Sequence, residues 1–114
     1  MTTPKPSFPL RTASVLAALL VAPGAQAAGE IEAGRNKAQA CAVCHGQLGL
    51  SVTPDAPHLA GQPAIYLAAQ LKAYRSGKRA HEVMGVMAKP LSDDDIALLA
   101  AWYAAIKVEV QAPK

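Results

Sequence analysis

Cys41 and Cys44 are the only cysteines among 114 residues, and His45 follows the second directly. The run Cys41-Ala42-Val43-Cys44-His45 has the C-x-x-C-H order by which a c-type haem is attached. Each thiol can add to one vinyl group at the edge of the macrocycle and form a thioether. On a helix, positions three and four apart lie on one face. Both sulfurs can therefore grip one haem edge while His45 turns beneath its centre to bind iron. Competing uses of these residues fit less well. A thioredoxin-like dithiol wants a β-α-β setting, and the chain shows almost no strand pattern. A zinc site wants four ligands, which His58 and His81 could complete only with His45 idle. A disulfide across two intervening residues would close a small, strained loop.

An iron held by one histidine takes a sixth ligand or keeps an open position, and Met84, Met87, His58 and His81 are the candidates. A thioether ligand raises the reduction potential and suits electron transfer. The ligand must come from across the haem, so a late loop before the last helix is a good source. Met84 and Met87 both qualify, and each could equally fill a gap in the core. The residues alone divide evenly between them. His58 and His81 lie in polar stretches and read as solvated surface histidines. Lys72, Arg75, Lys78 and Arg79 read as a solvated helix end, or as a place where Arg75 or Lys78 pairs with a haem propionate or steers an acidic partner.

The elements that must position these groups are helices and loops. Glu30 to Ala40 is rich in good helix formers, with Glu30 and Glu32 early and Arg35 and Lys37 late, as the macrodipole favours. Gly34 is its odd member, a tolerated surface glycine or a point of close contact with another helix. Gly46 to Gln62 holds three glycines and two prolines and reads as a long loop, a length that is uncommon without a function. Pro63 to Ser76 predicts a second helix, with Pro63 at its first position and Gly77 as its stop. Gly77 to Leu91 reads as irregular. Ser92 is a strong N-cap, and Asp93, Asp94 and Asp95 fill the first turn of a last helix. Ile96, Leu99, Ala100, Tyr103 and Ile106 continue it at helical spacing.

Residues 1–27 read as a cleaved secretory signal peptide. Lys5 and Arg11 give a basic start, Ala13 to Ala22 is an apolar run too short for the ~20 residues of a membrane span, and Ala25-Gln26-Ala27 is an A-x-A cleavage site. An uncleaved anchor is the competing reading. Two of the eleven bases precede residue 28 and all eight acids follow it. The expected mature chain, 28–114, then has an excess of one positive charge. That balance excludes nucleic-acid binding, which wants a clustered basic surface. A core this small is marginal, and a covalently held apolar macrocycle would enlarge it. Export and covalent haem attachment agree, because c-type maturation takes place outside the bacterial cytoplasm.

Over its expected mature length the chain resembles class I c-type cytochromes, in particular one half of the dihaem cytochromes c4 and the short cytochromes c553. The resemblance is carried by Cys41-Ala42-Val43-Cys44-His45-Gly46, Pro57-His58-Leu59-Ala60-Gly61-Gln62, Tyr66-Leu67-Ala68-Ala69-Gln70-Leu71, Met84-Gly85-Val86-Met87 and Leu91-Ser92-Asp93-Asp94-Asp95-Ile96. It implies an all-α cytochrome c fold, with three main helices and long loops wrapped around one covalent haem c and its iron. It implies Met84 as the axial methionine, eight positions before the serine that opens the last helix. It further implies that the Pro57 carbonyl accepts the proton of the other His45 nitrogen, that Leu59 packs on the haem, and that Gly34 lets the first helix cross the last near Trp102. The c4 proteins carry two haem domains, and this chain has one. The function expected is one-electron transfer in the periplasm, without transformation of a substrate and without a stable membrane span in the mature chain. Exchange would be with redox partner proteins, an upstream donor and a terminal oxidase or dehydrogenase. The competing readings are a cytochrome subunit of a dehydrogenase or sulfur-oxidising complex, and a gas-binding or sensory haem domain should Met84 bind weakly.

Overall fold

A computed structural model describes residues 1–2 and 23–114. The basic start and apolar run of the expected signal peptide lie outside the described residues. Those described hold helices and no strand: α1 (Pro23–Lys37), a single 3-10 turn (Ala38–Ala40), α2 (Ala42–His45), α3 (Ala64–Ser76), α4 (Glu82–Ala88) and α5 (Asp93–Ala105). Among them, no helix is long and apolar enough to cross a membrane.

The first helix begins earlier than the Glu30 expected, at Pro23, and ends earlier too, its last three residues tightening into the 3-10 turn. That turn delivers Cys41, which closes it and at the same time opens α2. Pro63 caps α3 rather than entering it, and Gly77 closes it in the left-handed conformation at φ 78° that only glycine takes without strain. At α5 both halves of a capping box form. Asp95 N–H donates to the Ser92 hydroxyl at 3.0 Å, and Ser92 N–H donates to the Asp95 carboxylate at 2.9 Å.

The stretch 77–91 is not wholly irregular. Glu82–Ala88 forms α4, capped by His81, whose Nδ1 accepts the Met84 N–H at 3.2 Å. Its seven residues contain a glycine and are too few for a helical period to show.

Helices α1 and α3 pack against α5, and α4 packs against α3. The α1–α5 crossing depends on Gly34. A Cβ placed there would overlap the Leu98 carbonyl and approach Trp102 Cβ to 2.9 Å. The implied crossing is thus present, and the missing side chain is what permits it. Lys37 Nζ reaches Asp95 at 2.7 Å and ties the end of α1 to the start of α5. The buried cluster is small, Ala38, Leu67, Leu99, Ala100 and Tyr103, with Cys41, Leu59 and Trp102 packed against it.

Candidate functional site

The Cys41–His45 segment is one helical turn. His45 N–H donates to the Cys41 carbonyl at 3.0 Å, and Gly46 N–H to Ala42 at 2.9 Å. Gly46 then breaks the helix at φ 79°. A Cβ there would overlap the Leu50 carbonyl, so the chain leaves the motif by a turn only glycine fits. Both cysteines are free and partly buried, while Val43 between them is exposed.

His45 is the buried polar side chain of the described core, 7 % exposed. Its Nδ1 lies 2.8 Å from the Pro57 carbonyl oxygen. A carbonyl can only accept, so Nδ1 carries the proton, and in the neutral ring Nε2 keeps its lone pair. A metal-ligating histidine takes this arrangement, one ring nitrogen oriented by a carbonyl and the other left to bind. The donor set therefore fits a haem: two unpaired thiols and a correctly tautomerised imidazole on one turn. The protein interior fits too. Among the described residues only seven hydrophobic ones are buried, while Leu48, Leu50, Val52, Ile65, Val83 and Val86 are exposed. Such a chain has apolar surface to share with a large apolar group. The zinc reading finds no support, since among the described residues no three His, Cys, Asp or Glu side chains converge.

The long loop brings Pro57 to His45. Leu59 and Ala60 N–H both donate to the Gly49 carbonyl, at 2.7 and 3.1 Å, and Gly61 N–H donates to Tyr103 at 2.9 Å. Leu59 reaches the same buried cluster as Cys41. Burial raises the Cys41 thiol pKa, and the Tyr103 hydroxyl beside it acts the other way. Burial first, and then the neighbouring Cys41, push the Tyr103 phenol well above its usual range. The Tyr103 hydroxyl is buried and has no hydrogen-bond partner.

Cys41, Cys44, His45, Pro57 and Leu59 are thus brought to one place by α2 and the following loop. Met84 comes from a separate element, half-buried on α4, with Met87 more exposed one turn along. Of the four basic residues, Lys72, Lys78 and Arg79 are exposed, as a solvated helix end would be, while Arg75 takes a role that neither expectation named. Arg75 is held structurally, donating to the Leu91 carbonyl at 2.9 Å and to Asp93 at 2.6 Å. Its guanidinium so joins α3 to the start of α5. Arg79 folds back over the Tyr74 ring and donates to Gln70 at 2.7 Å. His58 and His81 are exposed, as expected, but each Nδ1 accepts a backbone N–H, from Ser51 and Met84 respectively. Those two roles were missed. Histidine as a cap has no sequence signal comparable to serine at Ser92.

The family model described as Cytochrome c matches residues 31–106. Cytochrome c-554(548) of Halomonas halodenitrificans is 46% identical over 79 residues, covering 67% of this chain and 95% of that one. The thiosulfate dehydrogenase electron acceptor of Stutzerimonas stutzeri is 43% identical over 67 residues, covering 56% of this chain and 31% of that one. Among solved structures, reduced recombinant cytochrome c4 from Pseudomonas stutzeri matches with a TM-score of 0.65 and 37% identity, over 70% of this chain and 47% of that one. The chain therefore spans nearly the whole of the first relative and about half of the c4 chain.

Proposed function

This chain belongs to the cytochrome c family, and from that premise we propose that it is a periplasmic carrier of single electrons with His45 and Met84 as axial ligands. As a member of the family it is an electron-transfer protein with covalently bound haem c, not an enzyme. Cys41 and Cys44 supply the thioethers, and residues 1–27 are removed on export, leaving 28–114 as the cytochrome domain. When bound, the haem supplies a ferric/ferrous couple. The chain's residues hold and tune it. Pro57 fixes the proton on His45 Nδ1 and so leaves Nε2 for iron. Leu59 and the buried cluster exclude water. Met84, on capped α4, offers a soft thioether that favours the ferrous state. Exchange with donor and acceptor proteins takes place at an edge near Cys41 and Cys44, where Val43 is exposed.

The observation that carries this reading is the buried His45 with Nδ1 on Pro57, one residue from a free Cys44. The test is a redox titration followed by absorption, on holoprotein and on two variants. Met84→Ala is expected to abolish the weak red band of methionine–iron ligation, open the iron to added ligands such as carbon monoxide, and lower the potential. Met87→Ala should keep the band. The reverse pattern would transfer the axial role to Met87. Mass spectrometry should show one haem added to a chain beginning near Ala28.

A second reading has its own observation. A relative at 43% identity is named as the electron acceptor of thiosulfate dehydrogenase. On that reading this chain takes electrons from a dehydrogenase of a sulfur-oxidising system, as a docked subunit or acceptor. Co-purification with such an enzyme, against rapid exchange as a free monomer, separates the two.

A further inference from the structure

His58 is exposed, yet its ring is one link in a closed circuit of hydrogen bonds that starts and ends in the Cys41–His45 turn. The Cys44 carbonyl accepts from the Ser51 hydroxyl at 3.2 Å and from Val52 N–H at 3.2 Å. Ser51 N–H donates to His58 Nδ1 at 2.7 Å. His58 follows Pro57, whose carbonyl meets His45 Nδ1 at 2.8 Å. The Pro57 carbonyl belongs to the peptide plane that joins residues 57 and 58. The orientation of that plane decides whether the oxygen points at His45.

Few other bonds can hold that plane. Pro54 and Pro57 have no N–H to donate. On the far side, Leu59 and Ala60 anchor to the Gly49 carbonyl. Among the described residues, His58 to Ser51 is the one side-chain hydrogen bond from 54–62 back to 46–53. We propose that His58 is a positioning residue for His45, its Nδ1 pinning the 57–58 peptide so that the Pro57 carbonyl stays on the His45 ring N–H. The inference rests on the axial role proposed for His45. A ring N–H that gives its proton to a well-aimed acceptor makes the imidazole a better donor to ferric iron. Loosening the acceptor weakens that donation and raises the potential. The bond itself is exposed, where water can replace it, so its contribution to stability is small and its effect is one of orientation.

The experiment compares haem-loaded wild type, His58→Ala and His58→Asn. It reads the solvent exchange of the His45 ring N–H by NMR, the reduction potential, and the thermal midpoint. His58→Ala should speed ring N–H exchange several-fold and shift the potential upward while barely moving the midpoint. His58→Asn should restore both values towards wild type, since its amide oxygen can accept from Ser51 at similar reach. Wild-type exchange and potential in His58→Ala, or a change in the midpoint only, would overturn the proposal. In oxidised wild type the ring signal must also be displaced by the unpaired electron. If it is not, the axial reading of His45 fails and takes this inference with it; displacement with unchanged exchange defeats the His58 role alone.

Discussion

Where α1 crosses α5, the contact is made by an absence: Gly34 has no side chain, and the Leu98 carbonyl and Trp102 close on it. Along residues 46–62 contact is made by backbone polar groups, with glycines at 46, 49 and 61 all at positive φ. The crossing is apolar and buried, and it binds the ends of the domain together. The loop is held by backbone hydrogen bonds and partly exposed, and it aims Pro57 at His45. The two regions thus divide the work. One supplies cooperative stability, where a misplaced methyl group is felt throughout. The other supplies orientation, where a lost bond changes the site before it changes the fold.

The largest effect should come from filling the crossing. Gly34→Val would place branched carbons against a backbone carbonyl that cannot turn aside as a side chain can. Overpacking of this kind costs about 1–3 kcal/mol, and the backbone contact argues for the upper end. The denaturant midpoint of the holoprotein should fall accordingly, with Gly34→Ala falling less. A midpoint equal to wild type in the valine variant would mean that the helices part at this residue, and the division between the regions would lose its first member.

Gly49→Ala tests the boundary between them. Its φ of 71° is costly for alanine, about 1–2 kcal/mol. A Cβ would also come within 2.8 Å of both the Ala60 nitrogen and the Tyr103 ring. The expected result is a stability loss smaller than that of Gly34→Val, with faster amide exchange at Leu59 and Ala60, whose shared acceptor is the Gly49 carbonyl. Amides of α1 and α5 should follow only the global loss. If they open together with the loop at low denaturant, Tyr103 couples the two regions and they are one unit.

The same division explains what could be read from the residues alone. Three helices, the Ser92 cap and the attachment turn are carried by local signals: periodicity, a capping residue, a five-residue order. The Gly34 crossing came from family likeness, because one glycine in a helix does not say what it faces. The short helix α4 was missed because seven residues with an internal glycine are too short a window for a period to show. The destinations of Arg75, His58 and His81 were missed for another reason. Arg75 binds a carbonyl 16 positions away and a carboxylate 18 away. His58 accepts from an amide seven positions back. Such partners are set by the fold, and no local pattern encodes them.

The smallest effect concerns the ion pair that closes the crossing at its outer end. Lys37, first, and the Ser92 backbone N–H hold the Asp95 carboxyl down to about 2, from an ordinary 3.8. Asp93 is lowered in the same direction, chiefly by its hydrogen bond to Arg75 and then by the charge of Lys72. A carboxyl whose folded pKa lies below its unfolded value favours the folded state wherever it is ionised. For Asp95 that contribution is complete above about pH 4 and is lost as pH falls through about 2. Asp93 is open to solvent and Asp95 is partly so, so the effect is small and screened by salt. Acid titration of wild type should therefore show stability falling over that window, more gently at high salt. Asp95→Asn should flatten this limb without moving the neutral-pH potential, because the pair lies at the crossing and not at His45. A potential that followed the Asp95 titration would join the outer end of the crossing to the site, and stability and orientation would no longer be separable by region.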